Sequence, residues 1–145
     1  MSEPKTKATE NSVKEFLDSV EPVEKRADSF ALLDLFTKIT GEKAVMWGGS
    51  IVGFGTYHYK SERSRQEGDW MRVGFSPRKQ NLTLYILNMG MKGHPFFKRL
   101  GKYKTSNSSF GGCLYINKLA DVDIKTLEEL IKTSDEYIRK AYPAS

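Results

Sequence analysis

Cysteine and histidine are scarce in this chain, which contains one cysteine and two histidines among 145 residues. A single cysteine, Cys113, excludes an intramolecular disulfide and favours a reducing compartment. The two histidines, His58 and His94, make with Cys113 no spacing that is typical of a zinc site. The sequence therefore predicts neither a disulfide-stabilised fold nor a metal centre, and we expect no cofactor.

Long hydrophobic runs are absent as well. No stretch approaches the ~20 apolar residues that a membrane-spanning helix needs, and residues 1–11 contain no apolar segment of the kind found in signal peptides. We therefore expect a cytoplasmic protein without a membrane partner. Residues 1–10 are interpreted as a disordered lead, and residues 11–142 as one domain large enough to bury its own core.

The sequence also lacks motifs for phosphate loops and for nucleophilic catalysis. Gly53-Phe-Gly55 begins like a dinucleotide fingerprint, but no third glycine follows at the required spacing, and both glycines lie within a predicted strand. Cys113 lies in the middle of an apolar strand, a position typical of a packed small hydrophobe rather than a reactive thiolate. We expect a binding or accessory module rather than an enzyme, and we assign no catalytic residue.

Two polar residues on predicted strands have local interpretations. His58 lies between two tyrosines, which favours a hydrogen-bonded structural histidine over a metal ligand. Asp69 precedes a tryptophan in the next strand, where it is either a hairpin residue or the partner of a cation such as Arg72 or Arg78. Both residues are therefore predicted to have structural roles.

Hydrophobic periodicity predicts two helices in the first part of the chain. Ser12 and Glu15 have the spacing of a capping box, and the apolar residues that follow recur at helical spacing, which predicts a helix over 12–20. A second helix is predicted over 22–40, with a proline suited to its first turn and Gly41 as its end.

Between Gly41 and a C-terminal helix that Asp123 can cap, the pattern is typical of strands. Short runs rich in β-branched and aromatic residues predict strands over 43–47, 51–59, 70–75, 82–87 and 112–117. The run 82–87 is apolar on both faces, which predicts a central strand covered on both sides. We therefore expect an α+β fold, in which two N-terminal helices and one C-terminal helix pack on an antiparallel sheet of about five strands.

Positive charge is concentrated in the middle of the chain. The net charge is +5, but residues 42–118 contain 13 Lys and Arg against 4 Asp and Glu, whereas 1–41 and 119–145 each carry a net charge of −2. Such a segment raises the local concentration of anions. Mixed charge that merely keeps a sheet soluble gives the same pattern, so both interpretations stay open.

Cations and aromatic side chains alternate along the predicted strands of this basic segment. Arginine and lysine bind phosphate and carboxylate oxygens, and the turn over 76–81 can offer backbone N–H groups to an anion. We predict a site for a small anionic ligand, or for an acidic protein surface, on a basic sheet face. The alternative is a polar turn with scattered lysines. The candidate ligand-binding residues are Arg72, Arg78, Lys79, Lys102, Lys104, Trp70 and Tyr103.

A weak single-stranded nucleic-acid binder is a narrower version of the same hypothesis, because basic residues can follow a backbone while aromatic side chains stack on bases. No motif of a known nucleic-acid module is present, so the sequence disfavours nucleic acid as a partner. The oligomeric state stays open between monomer and homodimer.

Several motifs in a fixed order give the chain a family resemblance. At Trp47, 51–59, 69–79, 100–104 and 113–116 it resembles the YdhG-like family of bacterial domains of unknown function, over about residues 10–141. The resemblance implies a compact α+β fold related to the YjbR-like and frataxin-like superfamily, and it implies no established reaction. At 105–112 the chain is longer and more polar than the short turn common in that family.

The resemblance also implies an alternative function, because some relatives are labelled iron chaperones through their likeness to frataxin. Frataxin-type iron binding uses an acidic ridge on the first helix and the adjoining strand. Here Glu15 and Asp18 on the first predicted helix are offset by Lys14, and the strands are basic. Hard cations prefer clustered oxygen ligands, so the sequence favours the anion site over iron delivery.

Overall fold

The structure, a computed structural model, describes residues 8–9, 12–60, 67–87, 95–105 and 112–142. Its α-helices are α1 (Val13–Asp18), α2 (Val23–Thr40) and α3 (Ile124–Ala141). Short 3-10 helices cover Pro95–Arg99 and Leu119–Asp121. Among the helices described, none combines the length and the apolarity that a membrane span requires.

The helix ends follow the predicted signals. Ser12 Oγ accepts a hydrogen bond from the backbone N–H of Glu15 at 3.1 Å, which caps α1. Gly41 ends α2 in the left-handed conformation, with a φ of 69°. Asp123 caps α3 by accepting a hydrogen bond from the backbone N–H of Thr126.

Within the described ranges the chain forms β1 (Ala8–Thr9), β2 (Ala44–Trp47), β3 (Ile51–Phe54), β4 (Tyr57–Lys60), β5 (Glu67–Trp70), β6 (Val73–Pro77), β7 (Leu82–Leu87), β8 (Lys104–Thr105) and β9 (Gly112–Ile116). Seven of these strands form one sheet in the order β1-β2-β3-β6-β7-β9-β8, and β4 pairs with β5 in a separate hairpin. Every pairing is antiparallel. The predicted α+β fold with an antiparallel sheet is confirmed.

The predicted count of about five strands is too low, for two physical reasons. The edge strands β1 and β8 have two residues each, too few to produce a periodic pattern. The run predicted as one strand over 51–59 divides at Gly55, whose φ of 74° interrupts the extended backbone, so β3 and β4 belong to different sheets.

Part of the segment predicted as a disordered lead is a strand. Ala8 lies opposite Trp47 and Thr9 opposite Met46, so β1 extends the sheet beyond β2. This pairing satisfies backbone N–H and C=O groups of β2 that would be unpaired if β2 were the edge strand. The remaining positions of the predicted lead, 1–7 and 10, lie outside the described residues.

The core lies between the helices and one face of the sheet. Alternate residues of the central strands, among them Phe54 and Phe75, are fully buried together with Phe36 of α2 and Leu130 of α3. Phe36 stacks on Phe54 with ring centroids 5.2 Å apart. Each such side chain stabilises the fold by about 1.5–3 kcal/mol through its burial, so this face holds the three helices to the sheet.

Residues from the β4–β5 hairpin and the turn after it cover part of the opposite face. Gly53 and Gly74 have no side chains, so the Met71 side chain can pack directly on the backbone of this face. A Cβ atom at either position would lie within 2.7 Å of the Met71 sulfur. Trp47 fills the adjoining space and packs edge to face with Trp70 at 5.3 Å. This cover lies over β2, β3 and β6, whereas an open groove lies over β7 and β9.

Candidate functional site

A groove of about 490 Å³ opens on the sheet face that points away from the helices. Among the eight described residues that line it, two are cations, two are amides, three carry hydroxyls and one carries a thiol, and none is acidic. They are Arg78, Lys79, Gln80, Asn81, Thr83, Tyr85, Tyr115 and Cys113. Unopposed cations beside neutral polar groups give this lining a positive charge, which favours an anion.

The register of β7 and β9 produces the hollow. Thr83 lies directly opposite Tyr115, and side chains of paired residues in an antiparallel ladder lie on the same face. Tyr85 and Cys113 also line the groove, beyond Leu84, where the register of the two strands shifts. The two strands therefore contribute two phenol rings and two small side chains, Thr83 and Cys113, to the lining.

The turn between β6 and β7 places both cations at one end of the groove. The backbone N–H of Arg78 donates to the Asn81 carbonyl at 2.8 Å, which closes the turn. From α2, the Lys25 ammonium donates to the carbonyls of Arg78 at 2.5 Å and Lys79 at 3.0 Å. Arg78 Nη2 donates to the Tyr85 hydroxyl at 2.9 Å, so the turn is bonded to the wall of the groove.

Cys113 is half-buried in this groove rather than packed in the core, which corrects the interpretation of it as a packed hydrophobe. Burial raises the pKa of the Cys113 thiol above its ordinary value of 9.0, and a hydrogen bond with Tyr115 and the charge of Arg78 oppose this rise. Burial therefore disfavours the thiolate form of Cys113.

Two of the seven candidate binding residues line this groove, and a third lies beside it. Arg78 and Lys79 line the groove. Lys104 pairs with Tyr115 across β8 and β9, so the register puts it on the same face, next to the groove. Lys102 is exposed in the loop before β8 and does not contribute to the lining.

The two aromatic candidates, Trp70 and Tyr103, lie elsewhere. Trp70 packs on Trp47 near the opposite end of the sheet. Tyr103 packs against the hydrophobic core, with its ring 5.5 Å from that of Phe97. The sequence prediction that these two side chains form the wall of the basic site is corrected, because the strand register assigns that place to other residues.

Arg72 lies in an ion-pair network that joins the turn after β5 to α3. Its Nε donates to Asp135 Oδ1 at 2.7 Å, and its Nη1 lies 3.6 Å from Glu42 Oε2. Arg139 Nε donates to the other oxygen of Asp135 at 2.9 Å, and its Nη2 donates to the Thr40 carbonyl at 2.8 Å. Arg72 therefore holds elements together and is not part of the groove.

Asp69 pairs with His58 rather than with a cation. His58 Nδ1 lies 2.8 Å from Asp69 Oδ1, and the two residues are opposite each other in β4 and β5. Arg72 and Arg78, the partners that the sequence suggested for Asp69, bond elsewhere. The hydrogen bond agrees with the structural interpretation of His58, while His94 lies outside the described residues.

Six of the eight groove residues are absent from the candidate set predicted from the sequence, namely Gln80, Asn81, Thr83, Tyr85, Cys113 and Tyr115. The signal that identifies two of them is the alternation Leu-Thr-Leu-Tyr-Ile along β7, which puts polar groups on one face. Leu82, Leu84 and Ile86 are buried in the core, while Thr83, which is only 4% exposed, and the half-buried Tyr85 line the groove. The face of β7 away from the helices is therefore polar and opens to the groove at Tyr85, which differs from the apolar face that was predicted.

The described residues offer no acidic cluster to a metal ion. Within the ranges that the structure covers, no group of three or more His, Cys, Asp or Glu side chains is placed to hold one. On α1, Asp18 forms an exposed ion pair with Lys14 at 3.5 Å.

Comparison with known proteins gives no match, whether to family models, to curated proteins or to solved structures. The resemblance to the YdhG-like family therefore stays a prediction from sequence motifs. The groove is therefore the feature of this protein that bears on its function.

Proposed function

We propose that this protein is a binding module that takes a small anionic ligand in the groove over β7 and β9. One observation carries the proposal: Arg78 and Lys79 share a groove in which none of the eight described lining residues is acidic. Guanidinium and ammonium groups match phosphate and carboxylate oxygens. We assign no reaction to the site and propose a binding or accessory role rather than an enzyme.

The shape of the site favours a small ligand over an acidic protein surface. A stable protein interface buries about 800 Å² on each partner, whereas the cations here lie at one end of a concave space of about 490 Å³. That volume falls within the range of pockets that bind organic molecules, about 300–1,000 Å³. A compact anion that enters the groove reaches both cations at once.

The expected affinity is modest. Two hydrogen bonds to charged groups contribute about 1.5–3 kcal/mol each. Their sum corresponds to a dissociation constant between tens of micromolar and several millimolar. Because the groove is open to solvent, we also expect binding to weaken as ionic strength rises.

A thermal-shift panel tests the proposal. The panel contains inorganic phosphate, pyrophosphate, citrate and adenosine monophosphate, with sodium chloride at matched ionic strength as the reference. A ligand that binds only the folded state raises the melting temperature with concentration. We expect at least one of these anions to do so in the wild-type protein.

Two double variants make the test specific. Arg78→Ala/Lys79→Ala removes both cations of the groove, and Lys132→Ala/Lys140→Ala removes the same charge from exposed positions on α3. The first variant is expected to lose the anion-dependent shift and the second to keep it. No shift with any of the four anions, or an equal loss in both variants, contradicts the proposal.

A further inference from the structure

We infer that the ligand of this groove joins a phosphate group to a planar ring, as a nucleoside monophosphate does. The inference rests on the proposed anion-binding function and names the class of ligand. It follows from a charged end at the β6–β7 turn and phenol rings on β7 and β9, which meet where Arg78 Nη2 donates to the Tyr85 hydroxyl.

The charged end is the β6–β7 turn, where Arg78 and Lys79 lie next to each other. The Arg78 guanidinium has five N–H donors, and the Tyr85 hydroxyl accepts one bond from Nη2. Arg78 can therefore bind a phosphate oxygen while it stays bonded to the wall of the groove. Lys25 fixes the backbone of the turn from the helix side, so this end is ordered before a ligand arrives.

The aromatic part of the groove is formed by the phenol rings of Tyr85 on β7 and Tyr115 on β9. Thr83 and Cys113 add two small side chains to the lining. Phenol rings offer flat, partly apolar surfaces on which a heteroaromatic ring stacks. An inorganic anion held at the turn alone does not use these surfaces.

Two amides lie next to the cations and suit the edge of a ring that carries nitrogen and oxygen atoms. Gln80 and Asn81 both line the groove. Asn81 Oδ1 accepts a hydrogen bond from Thr83 Oγ1 at 2.6 Å, which leaves the Asn81 NH₂ group as a donor. Cations, amides and phenol rings in a single groove match a phosphorylated heteroaromatic better than a simple dicarboxylate or tricarboxylate.

Isothermal titration of the full chain with four compounds separates the contributions. The compounds are adenosine monophosphate, ribose 5-phosphate, inorganic phosphate and adenosine. We expect adenosine monophosphate to bind at least tenfold more tightly than ribose 5-phosphate, a difference of about 1.4 kcal/mol. Adenosine, which lacks the phosphate, is expected to bind at least tenfold more weakly than adenosine monophosphate.

Variants assign the ring preference to a residue. Tyr115→Leu is expected to bring the affinities for adenosine monophosphate and ribose 5-phosphate within threefold of each other, whereas Tyr115→Phe keeps the preference because it keeps the ring. Arg78→Ala/Lys79→Ala is expected to weaken all three phosphorylated or phosphate compounds by at least tenfold. If Tyr115→Leu fails to fold, as judged by circular dichroism, the comparison of the four compounds with the wild-type protein still decides the inference.

The outcomes distinguish this inference from the function on which it rests. Equal affinities for adenosine monophosphate and ribose 5-phosphate in the wild-type protein overturn the ring assignment and leave the anion site intact. A ring preference that Tyr115→Leu does not change, in a folded variant, also overturns the assignment of the ring to this groove. Absence of binding by all three compounds that carry phosphate overturns this inference, and the anion-binding function is overturned as well if citrate and pyrophosphate also give no thermal shift.

Discussion

Arg72 donates from Nε to Asp135 Oδ1 at 2.7 Å, although 63 residues separate them in the chain. The two side chains are only 11% and 5% exposed, so solvent screens this pair weakly. Tyr57 and Tyr142, whose rings lie 4.7 Å apart, add a contact between the β4–β5 hairpin and the residue after α3. These contacts fix the hairpin and the turn after it beside α3.

Removal of Asp135 is expected to destabilise the protein strongly. Asp135→Ala leaves the buried Arg72 with only the more distant and more exposed Glu42 carboxylate, and loss of one partner from a buried pair costs about 3–5 kcal/mol of unfolding free energy. Asp34→Ala, at an exposed position on α2, is the matched control and should change stability by no more than about 0.5 kcal/mol. Urea denaturation measures both values. Equal effects of the two substitutions would show that the network contributes no stability.

Gly55 is expected to tolerate alanine poorly, because a Cβ atom there would lie 2.4 Å from Arg72 Cζ and the backbone has a φ of 74°. Gly41 has a similar φ of 69° but no heavy atom within 4 Å of the added Cβ. Gly41→Ala should therefore show the conformational cost alone, about 1–2 kcal/mol. Gly55→Ala should cost more, because Arg72 must also move.

Gly49→Ala completes this comparison, since Gly49 has neither a positive φ nor a close neighbour. We expect this variant to keep wild-type stability. Unfolding free energies for the three alanine variants should rank Gly49 least affected, Gly41 next and Gly55 most. A Gly55 variant that is no less stable than the Gly41 variant contradicts the placement of the Arg72 guanidinium against Gly55.

The cap of α3 predicts a pH dependence of stability. Hydrogen bonds from the Thr126 hydroxyl and backbone N–H hold the pKa of Asp123 below its ordinary value of 3.8. A carboxyl whose pKa is lower in the folded state stabilises the protein fully above pH 3.8, and loses this contribution as the pH falls through the folded-state pKa. Urea unfolding between about pH 3 and about pH 7 should show this loss.

The comparison variants for this cap are Asp123→Ala and Asp123→Ser. The stability difference between the wild type and Asp123→Ala should shrink as the pH falls, whereas serine caps the helix without titrating. The difference between the serine and alanine variants should therefore stay constant. A constant difference between the wild type and Asp123→Ala would contradict the assigned shift.

Lys25 is expected to act on the groove without entering it. Lys25→Met keeps most of the aliphatic side chain but removes the donors that bond the carbonyls of Arg78 and Lys79. We expect a loss of about 1.5–2 kcal/mol in unfolding free energy, the lower part of the range for charged hydrogen bonds, because Lys25 is partly exposed. Binding of adenosine monophosphate should weaken several-fold, because the ligand then has to order the turn. Lys132→Met on α3 should change neither quantity, and a Lys25 variant with unaltered binding contradicts the positioning role.

Helix ends were predictable from the sequence because each depends on residues close together in the chain. Ser12, Gly41 and Asp123 act on backbone groups within four residues of themselves. Arg78 and Lys79 were predictable for the same reason, since one turn carries both. The pairing of Arg72 with Asp135 depends on how the turn after β5 meets α3, and no local pattern encodes it.

The remaining site residues depend on strand register. Side chains alternate between faces with a period of two, so a shift of one residue moves a side chain to the other side of the sheet. Lys104 pairs with Tyr115 on the groove face, whereas the adjacent Tyr103 packs against the core. The order of residues shows that cations and aromatic residues are neighbours in sequence. The pairing of β7, β8 and β9 determines which of their side chains lie on the same face of the sheet.

The groove contains the only cysteine of the chain, so alkylation of Cys113 reports directly on whether an anion occupies it. The rate of modification by iodoacetamide at about pH 8 is measured with increasing inorganic phosphate or adenosine monophosphate, in the wild-type protein and in Arg78→Ala/Lys79→Ala. We predict that the anion slows alkylation several-fold in the wild type and has no effect in the variant, each compared with its own rate without anion. An anion that raises the melting temperature of the wild type yet leaves the alkylation rate of Cys113 unchanged would contradict the assignment of the binding site to this groove.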